Sequence, residues 1–558
     1  MDKRLVLKNK YKGSKKVNQT LFQMGIGLLV QGVEKLLEGY DQKTGRFLAK
    51  NGGWTNRNQD NMFTLAFLYR TGHPDNPYYH NKMIINVVEK AGNALREVQN
   101  ADGKMVTVKT DGSRWSESFI PWTYYYWLET YDMVKSVLTE ESRKSWREGL
   151  LISYAGINEM LKGIRVHNTN VYHAMALQRA AQILEQPEWI TVADEMIQRT
   201  VDAQKGAGYW EEHLGPTTNY NRHYVHALGL YYYHGGKVNV IPALEKSMFF
   251  QVAFTYPDGT RVETIDGRVK YNRTIRPLGM TGLGLFPKGR DYCRFLMEQA
   301  GANSPDMFSA DLTAFLLNID PDADEIPSIV RKKQLELDVM NVLILKNQDM
   351  FVCMSGITTP VSESRWAQDR QMFFSIWHSS YGLLVGGGNS KKQPERSTFV
   401  IRNGEEVISY VPDNGHVNAE QKELILNYGD AQCSICIDKL DTDSLTFIYK
   451  AVLKNENEAN INIPIILIPG SKLVTGEGKE WIVGEDNIEF FKGDGKHCIQ
   501  IESTRLEFEG PATFKWPSLP FNPYEKEGEA TIDEAVAILT LLASDEKKSV
   551  SVVFNYNK

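Results

Sequence analysis

Two incompatible hydrophobic periods divide this chain. Up to about residue 320, apolar residues recur every three or four positions, as one face of a helix requires; from Leu335 they alternate, as a half-buried strand requires. The helical period predicts helices at Leu21–Leu37, Asp60–Tyr69, Met83–Gln99, Phe119–Leu138, Glu140–Leu161, Val171–Leu184, Trp189–Gln204, Asn219–Tyr233, Pro242–Gln251 and Ala310–Leu317. Short turn-forming segments separate them, and no fixed-length repeat is found, so helical hairpins stacked in a ring or solenoid are expected. The alternating period predicts strands at Val342–Lys346, Met350–Met354, Leu383–Val385, Thr398–Ile401, Glu406–Tyr410, Ser434–Asp438, Ser444–Val452, Ile461–Ile468, Ile488–Phe491, His497–Glu502 and Val550–Phe554. Turns about every ten residues are the mark of a large antiparallel sandwich. The run Asp320-Pro-Asp-Ala-Asp-Glu-Ile-Pro327 separates the two textures, which places a helical domain over 1–325 and a β domain over 326–558.

A chain of 558 residues exceeds one ordinary core, consistent with that division. No apolar run reaches the length of a membrane span, so no membrane partner is expected. Met1 to Asn18 is basic and polar without the apolar core of a secretory signal. As it stands, the chain is expected to be cytoplasmic, or exported if a signal has been removed. A net charge of −6 with interspersed signs argues against nucleic acid as the main partner, while leaving room for a locally basic cleft. The five cysteines are dispersed; Cys433 and Cys436 form a lone CxxC on an alternating stretch, and neither a metal nor a cofactor is called for.

Six of the eleven histidines fall within residues 165–234, in two clusters. The first is Arg165-Val-His167-Asn168-Thr-Asn170-Val-Tyr172-His173; the second is Gly208-Tyr-Trp-Glu211-Glu212-His213 with Asn219-Tyr220-Asn221-Arg222-His223. Each opens on polar, turn-prone residues and runs into a helix. Asn170 and His173 share a face with Leu177 and Leu184, and Tyr220 and His223 share one with Ala227 and Leu230. The apolar part of each face would meet a core and the polar head would project into a common rim. The plain alternative is two buried helices with polar caps. Aromatic residues in polar company, as in Trp115-Ser-Glu-Ser-Phe119-Ile-Pro-Trp122-Thr-Tyr124-Tyr-Tyr-Trp127, suit sugar rings, or else an aromatic helix core.

In organisation the whole chain resembles the polysaccharide lyases built from an (α/α) toroid, an incomplete helical barrel, followed by an antiparallel β-sandwich: the heparinase II/III-like, alginate, and chondroitin or hyaluronan lyases. The motifs that carry the resemblance are Asn-x-Asn-x-Tyr-His at 168–173 and Gly-Tyr-Trp-Glu followed by Asn-Tyr-Asn-Arg-His at 208–223. The second is similar to the pattern Gly-x-x-x-Glu followed by Tyr-x-x-His or Tyr, in which the tyrosine serves as acid and often as base. Asn168 and Asn170 both match the asparagine of such enzymes, and a contiguous Asn-His pair is absent. The resemblance implies an acidic polysaccharide or oligosaccharide as substrate and β-elimination as the reaction.

That reaction sets an inventory of groups. The uronate carboxylate must be neutralised so that charge can develop at C5; a base takes the C5 proton; an acid protonates the departing oxygen at C4. Asn170, His173, Tyr220 and His223 are the expected catalytic residues, with either Tyr220 or His173 as base. Asn168, Arg222, Glu212, Trp115, Arg276 and His378 are expected to bind substrate; His378 closes the stretch Arg365–His378, which is expected to reach over the helical cleft. Arg273 is a further surface candidate. Hydrolysis would instead need two opposed carboxylates, for which Asp60, Glu117, Glu212 and Glu263 are available. A non-catalytic glycan binder would need only the aromatics.

Overall fold

The computed structural model describes residues 20–49, 51–108, 112–301, 307–454, 457–525, 527–544 and 548–556, with Trp115 described by its main chain alone. The described helices are α1 (Leu21–Glu38), α2 (Asn61–Arg70), α3 (Lys82–Val98), α4 (Pro121–Val134), α5 (Glu140–Leu161), α6 (Asn168–Ile183), α7 (Trp189–Asp202), α8 (Thr218–Tyr233), α9 (Ile241–Ala253), α10 (Met280–Leu283), α11 (Pro287–Ala300) and α12 (Ala310–Asn318). The even-numbered helices pack in succession, α2 on α4, α6, α8, α10 and α12, and α12 returns to α2. A hydrogen bond of 2.8 Å between the Thr64 and Thr313 hydroxyls joins α12 to α2. The odd-numbered helices pack outside. This is an (α/α) toroid, incomplete only where α10 contributes a single turn.

Composition explains which helices go inside. An inner helix meets protein on all sides, and α4 buries eleven of its fourteen residues, from Pro121 to Val134. An outer helix buries one stripe, and α3 keeps Ile84, Val87, Val88, Ala91 and Leu95 inward. Backbones approach closely where α8 meets α10: a Cβ on Gly229 would lie 2.4 Å from the Gly282 Cα, so neither position has room for a side chain. Helix α11 has no counterpart among the sequence-based expectations; it starts on Pro287, and proline at the first helical position is a good start.

Among the described residues the β half forms two antiparallel sheets. One runs from Ile488–Lys492 at one edge to Leu335–Val339 at the other; the second runs from Asn414–Asn418 to Glu480–Ile482. Strand Ser444–Val452 alternates buried with partly or fully exposed residues and pairs Phe447 with Val552, which sets its apolar face against the first sheet. Phe374 and Phe399 of one sheet meet Phe447 and Tyr449 of the other. Cys433 is buried in this core, whereas Cys436 is partly exposed and turns to the Gln421 carbonyl.

Toroid and sandwich are held together by a buried seam. Phe250, Phe254, Tyr256, Val262 and Ile265 pack on Val342, Ile344, Phe351 and Trp377. The fully buried Arg370 of the sandwich donates to the carbonyls of Ile265, at 2.7 Å, and of Leu214 and Pro216, at 3.3 and 3.0 Å, all in toroid loops. Those loops carry the site.

Candidate active site

Helices α6 and α8 are neighbours in the inner ring, and their N-termini open on the rim that faces the sandwich. Thr217 caps α8, its hydroxyl accepting from the Tyr220 amide at 3.2 Å. The Asp266 carboxylate accepts from the Thr218 amide, at 2.8 Å, and from the Arg268 and Val269 amides, at 2.9 and 2.8 Å. A carboxylate suits a helix N-terminus, and here it also fixes the loop carrying Arg268 beside that terminus.

Above the rim lies a cleft of two lobes, about 1320 Å³ and about 620 Å³, which share Arg57, Trp122, Asn168, Tyr220 and Tyr524. Tyr220 stands at the junction. Its hydroxyl is 2.8 Å from that of Tyr524, from the sandwich half, and the Arg268 guanidinium lies 4.3 Å over its ring. Burial holds the Tyr220 hydroxyl well above the usual phenol range, Tyr524 adds to this, and the Arg268 charge opposes it. The side chain is therefore a protonated phenol, a donor.

Asn168 reaches the same junction. Its amide donates to Glu212 at 2.9 Å, and the same carboxylate oxygen holds His167 Nε2 at 2.9 Å and Arg268 at 3.5 Å. Burial alone would raise the Glu212 carboxyl, but the His167 bond and charge, the Asn168 amide and the Arg268 charge hold it below its ordinary value. Glu212 is thus a buried anion that orients Asn168 from behind and does not line the cleft. Asn170 lines only the larger lobe and gives its amide to the Arg165 carbonyl at 3.0 Å. Of the two asparagines, the one at the junction is Asn168.

Both histidines line the cleft, His173 in the larger lobe and His223 in the smaller, but they differ in exposure. His173 is 3 % exposed; its Nε2 lies 3.1 Å from the Phe119 carbonyl, which fixes the proton there, and Nδ1 is buried without a partner. His223 is half-buried in the smaller lobe with its ring 5.7 Å from that of Tyr220; Nδ1 is buried and unpartnered, which leaves Nε2 as the nitrogen available to the lobe. Burial lowers both imidazoles to about 4, so both are neutral at ordinary pH.

Besides Glu212, two of the expected residues stand elsewhere. Arg222 is buried on the opposite side of α8, because two residues along a helix from Tyr220 is a turn of about 200°; it donates to Gln251, to the Arg276 carbonyl and to Tyr292, and does not line the cleft. His378 stacks on Tyr556 at 3.8 Å and bonds Ser380 at 2.8 Å, on a strand turned away from the cleft. The stretch Arg365–His378 meets the cleft through Trp366 alone. The side chain of Trp115 lies outside the described residues. Arg276 lines the smaller lobe. Of the aromatic run, Phe119 and Trp122 face the cleft, whereas Tyr124 and Trp127 are fully buried core.

Arg268 and Tyr524 belong to the site without standing out in sequence, and they are joined by Trp366 of the Arg365–His378 stretch and, through Arg268, by His213 of the second cluster. His213 has φ of 62°, an uncommon conformation for a non-glycine residue, and its Nε2 lies 2.6 Å from Arg268. Tyr524 carries no local signal at all. Among the described residues no cluster of three or more histidine, cysteine or carboxylate side chains could hold a metal ion.

The same architecture occurs in solved structures. Heparinase III superposes with a TM-score of 0.52 at 10% identity, covering 100% of this chain and 88% of that one. Another heparinase III gives 0.52 at 10% identity, over 89% of this chain and 77% of that one. Chondroitin AC lyase of Streptomyces coelicolor gives 0.52 at 10% identity, over 98% and 80%. The fold is thus that of toroid-plus-sandwich polysaccharide lyases. No protein-family model matches the sequence, and no curated protein matches it.

Proposed function

We propose that the protein is a lyase that cleaves a uronic-acid-containing glycan by β-elimination. The observation that carries this reading is that a protonated Tyr220 and an Asn168 amide braced by the Glu212 anion meet at the junction, with the neutral imidazole of His223 beside Tyr220 in the smaller lobe. The fold shared with heparinase III and chondroitin AC lyase supports an acidic glycan as substrate class.

In this reading the uronate ring sits at the junction, with its carboxylate against Asn168 and the Arg268 guanidinium. Donors fixed before substrate arrives stabilise the charge that moves from C5 onto the carboxylate as the proton leaves. His223, neutral and one helical turn from Tyr220, takes the C5 proton. Tyr220 gives its proton to the glycosidic oxygen as the C4–O bond breaks, and the Arg268 charge over the ring and the Tyr524 hydroxyl stabilise the phenolate that remains. His173 acts through structure, tying α6 to the chain entering α4. This reading takes His223 as the base, in place of Tyr220 or His173, because its ring is the more exposed and stands beside Tyr220.

One observation favours a second reading, hydrolysis: Asp60 and Asp311 both line the smaller lobe, and burial raises Asp60 to about 7 against the Arg57 charge, as a general acid would need. A panel of acidic oligosaccharides followed in the near ultraviolet separates the two. Elimination creates a C4–C5 double bond conjugated to the carboxylate and absorbance rises; new reducing ends without absorbance would support hydrolysis.

A further inference from the structure

The smaller lobe contains a charge that the chemistry above does not use. Arg261 is 9 % exposed, and one of its terminal nitrogens is buried without a hydrogen-bond partner. It has no ion pair among the described residues. Its charged neighbours are mostly of like sign: Arg222, whose own bonds all go to neutral acceptors, and Arg276. Burial, with these two charges added, lowers the Arg261 guanidinium to about 9. Asp266 opposes this from behind, but its carboxylate is taken up by the α8 N-terminus and the Arg268 loop. Asp60 and Asp311 also line the lobe; Asp60 feels the Arg57 charge, and Asp311 accepts from the Tyr126 hydroxyl at 2.6 Å. A buried guanidinium without a counter-ion is costly, and such groups are normally paired. Arg276, exposed at the mouth of the same lobe, supplies a second fork of donors.

We propose that Arg261 and Arg276 form a subsite for a second oxyanion of the substrate, a sulfate ester or a carboxylate on the sugar adjoining the one at Tyr220. This rests on the reading of the cleft as a glycan site. Guanidinium forks match the oxygen spacing of both groups and bind them bidentately. The subsite makes the protein selective for glycans with charge on adjoining sugars, and spares the lobe an unpaired buried cation only when such a glycan is bound.

The test is calorimetric binding to the Tyr220→Phe protein, which should hold substrate uncleaved. Three uronate oligosaccharides are compared, identical except that the adjoining sugar is neutral, sulfated or a uronate. One or both charged forms are expected to bind about tenfold tighter than the neutral one, and whichever does so identifies the oxyanion. Arg276→Ala, at an exposed position, should reduce that preference severalfold, and Arg261→Lys, which keeps the charge but not the fork, should reduce it too. Equal affinity for all three, or a preference untouched by both substitutions, overturns the subsite. Binding is read without turnover, so the two readings fail separately. Preference without any ultraviolet product from the unsubstituted protein keeps the subsite and removes the lyase; product without preference does the reverse.

Discussion

Tyr220 bears the most chemistry on the fewest atoms. Tyr220→Phe removes one hydroxyl, keeps the ring under Arg268, and should lower turnover by roughly 10²-fold or more with the fold intact; near-normal turnover in the folded variant would end its role as acid. Asn168→Ala should lower kcat by roughly 10²-fold while changing KM less, because the charge it meets grows in the transition state. A change confined to KM would make Asn168 a ground-state contact. The histidines give a pH signature. A base must be neutral, and burial places His223 at about 4, so activity should rise as pH passes upward through about 4 and stay level through neutrality. His223→Ala should remove most activity. A rise that continues to alkaline pH would give the base role to Tyr220 as phenolate. His173 should show itself in stability. Its folded value of about 4 lies below the unfolded 6.5, so the unfolded chain takes up a proton first as pH falls. The stability that this site contributes is whole above about 6.5 and is lost progressively toward about 4. His173→Gln should flatten that loss in melting curves taken across the window.

At the scale of elements, the site is two helix N-termini plus the loops that other elements pin against them. The helices were legible because their hydrophobic faces declare themselves every three or four residues, and because Asn168 and Tyr220 sit where those faces begin. What could not be read was anything assembled across long separations. Arg268 meets Glu212 only because Asp266 clamps its loop to the start of α8, and Tyr524 reaches Tyr220 from 304 residues away. His378 was misplaced because a histidine at the end of an aromatic stretch reads the same whichever way its strand faces. The Arg222 side chain was a matter of helix phase, two positions from Tyr220 and therefore on the wrong side. Buried strands such as Val536–Ala543, apolar on both faces, carry no alternation to detect.

The two halves of the molecule work as one. Arg370 is a sandwich residue that never touches the cleft, yet its guanidinium holds the loops before α8 and before Arg268. Arg370→Ala should reduce kcat by about tenfold or more while leaving melting of the sandwich nearly unchanged, measured beside Tyr220→Phe as the reference for lost chemistry. A chain ending near Ile326 loses Arg370, Trp366 and Tyr524 together, and should be inactive even if it folds. The central claim, that the cleft performs elimination and not hydrolysis, is tested most directly by cleaving an acidic oligosaccharide in water enriched in heavy oxygen and weighing both fragments. The account predicts that neither fragment gains the label during cleavage and that the fragment with the new non-reducing end is lighter by one water than its hydrolysed counterpart. Heavy oxygen in either newly formed end, with no unsaturated fragment, would contradict it.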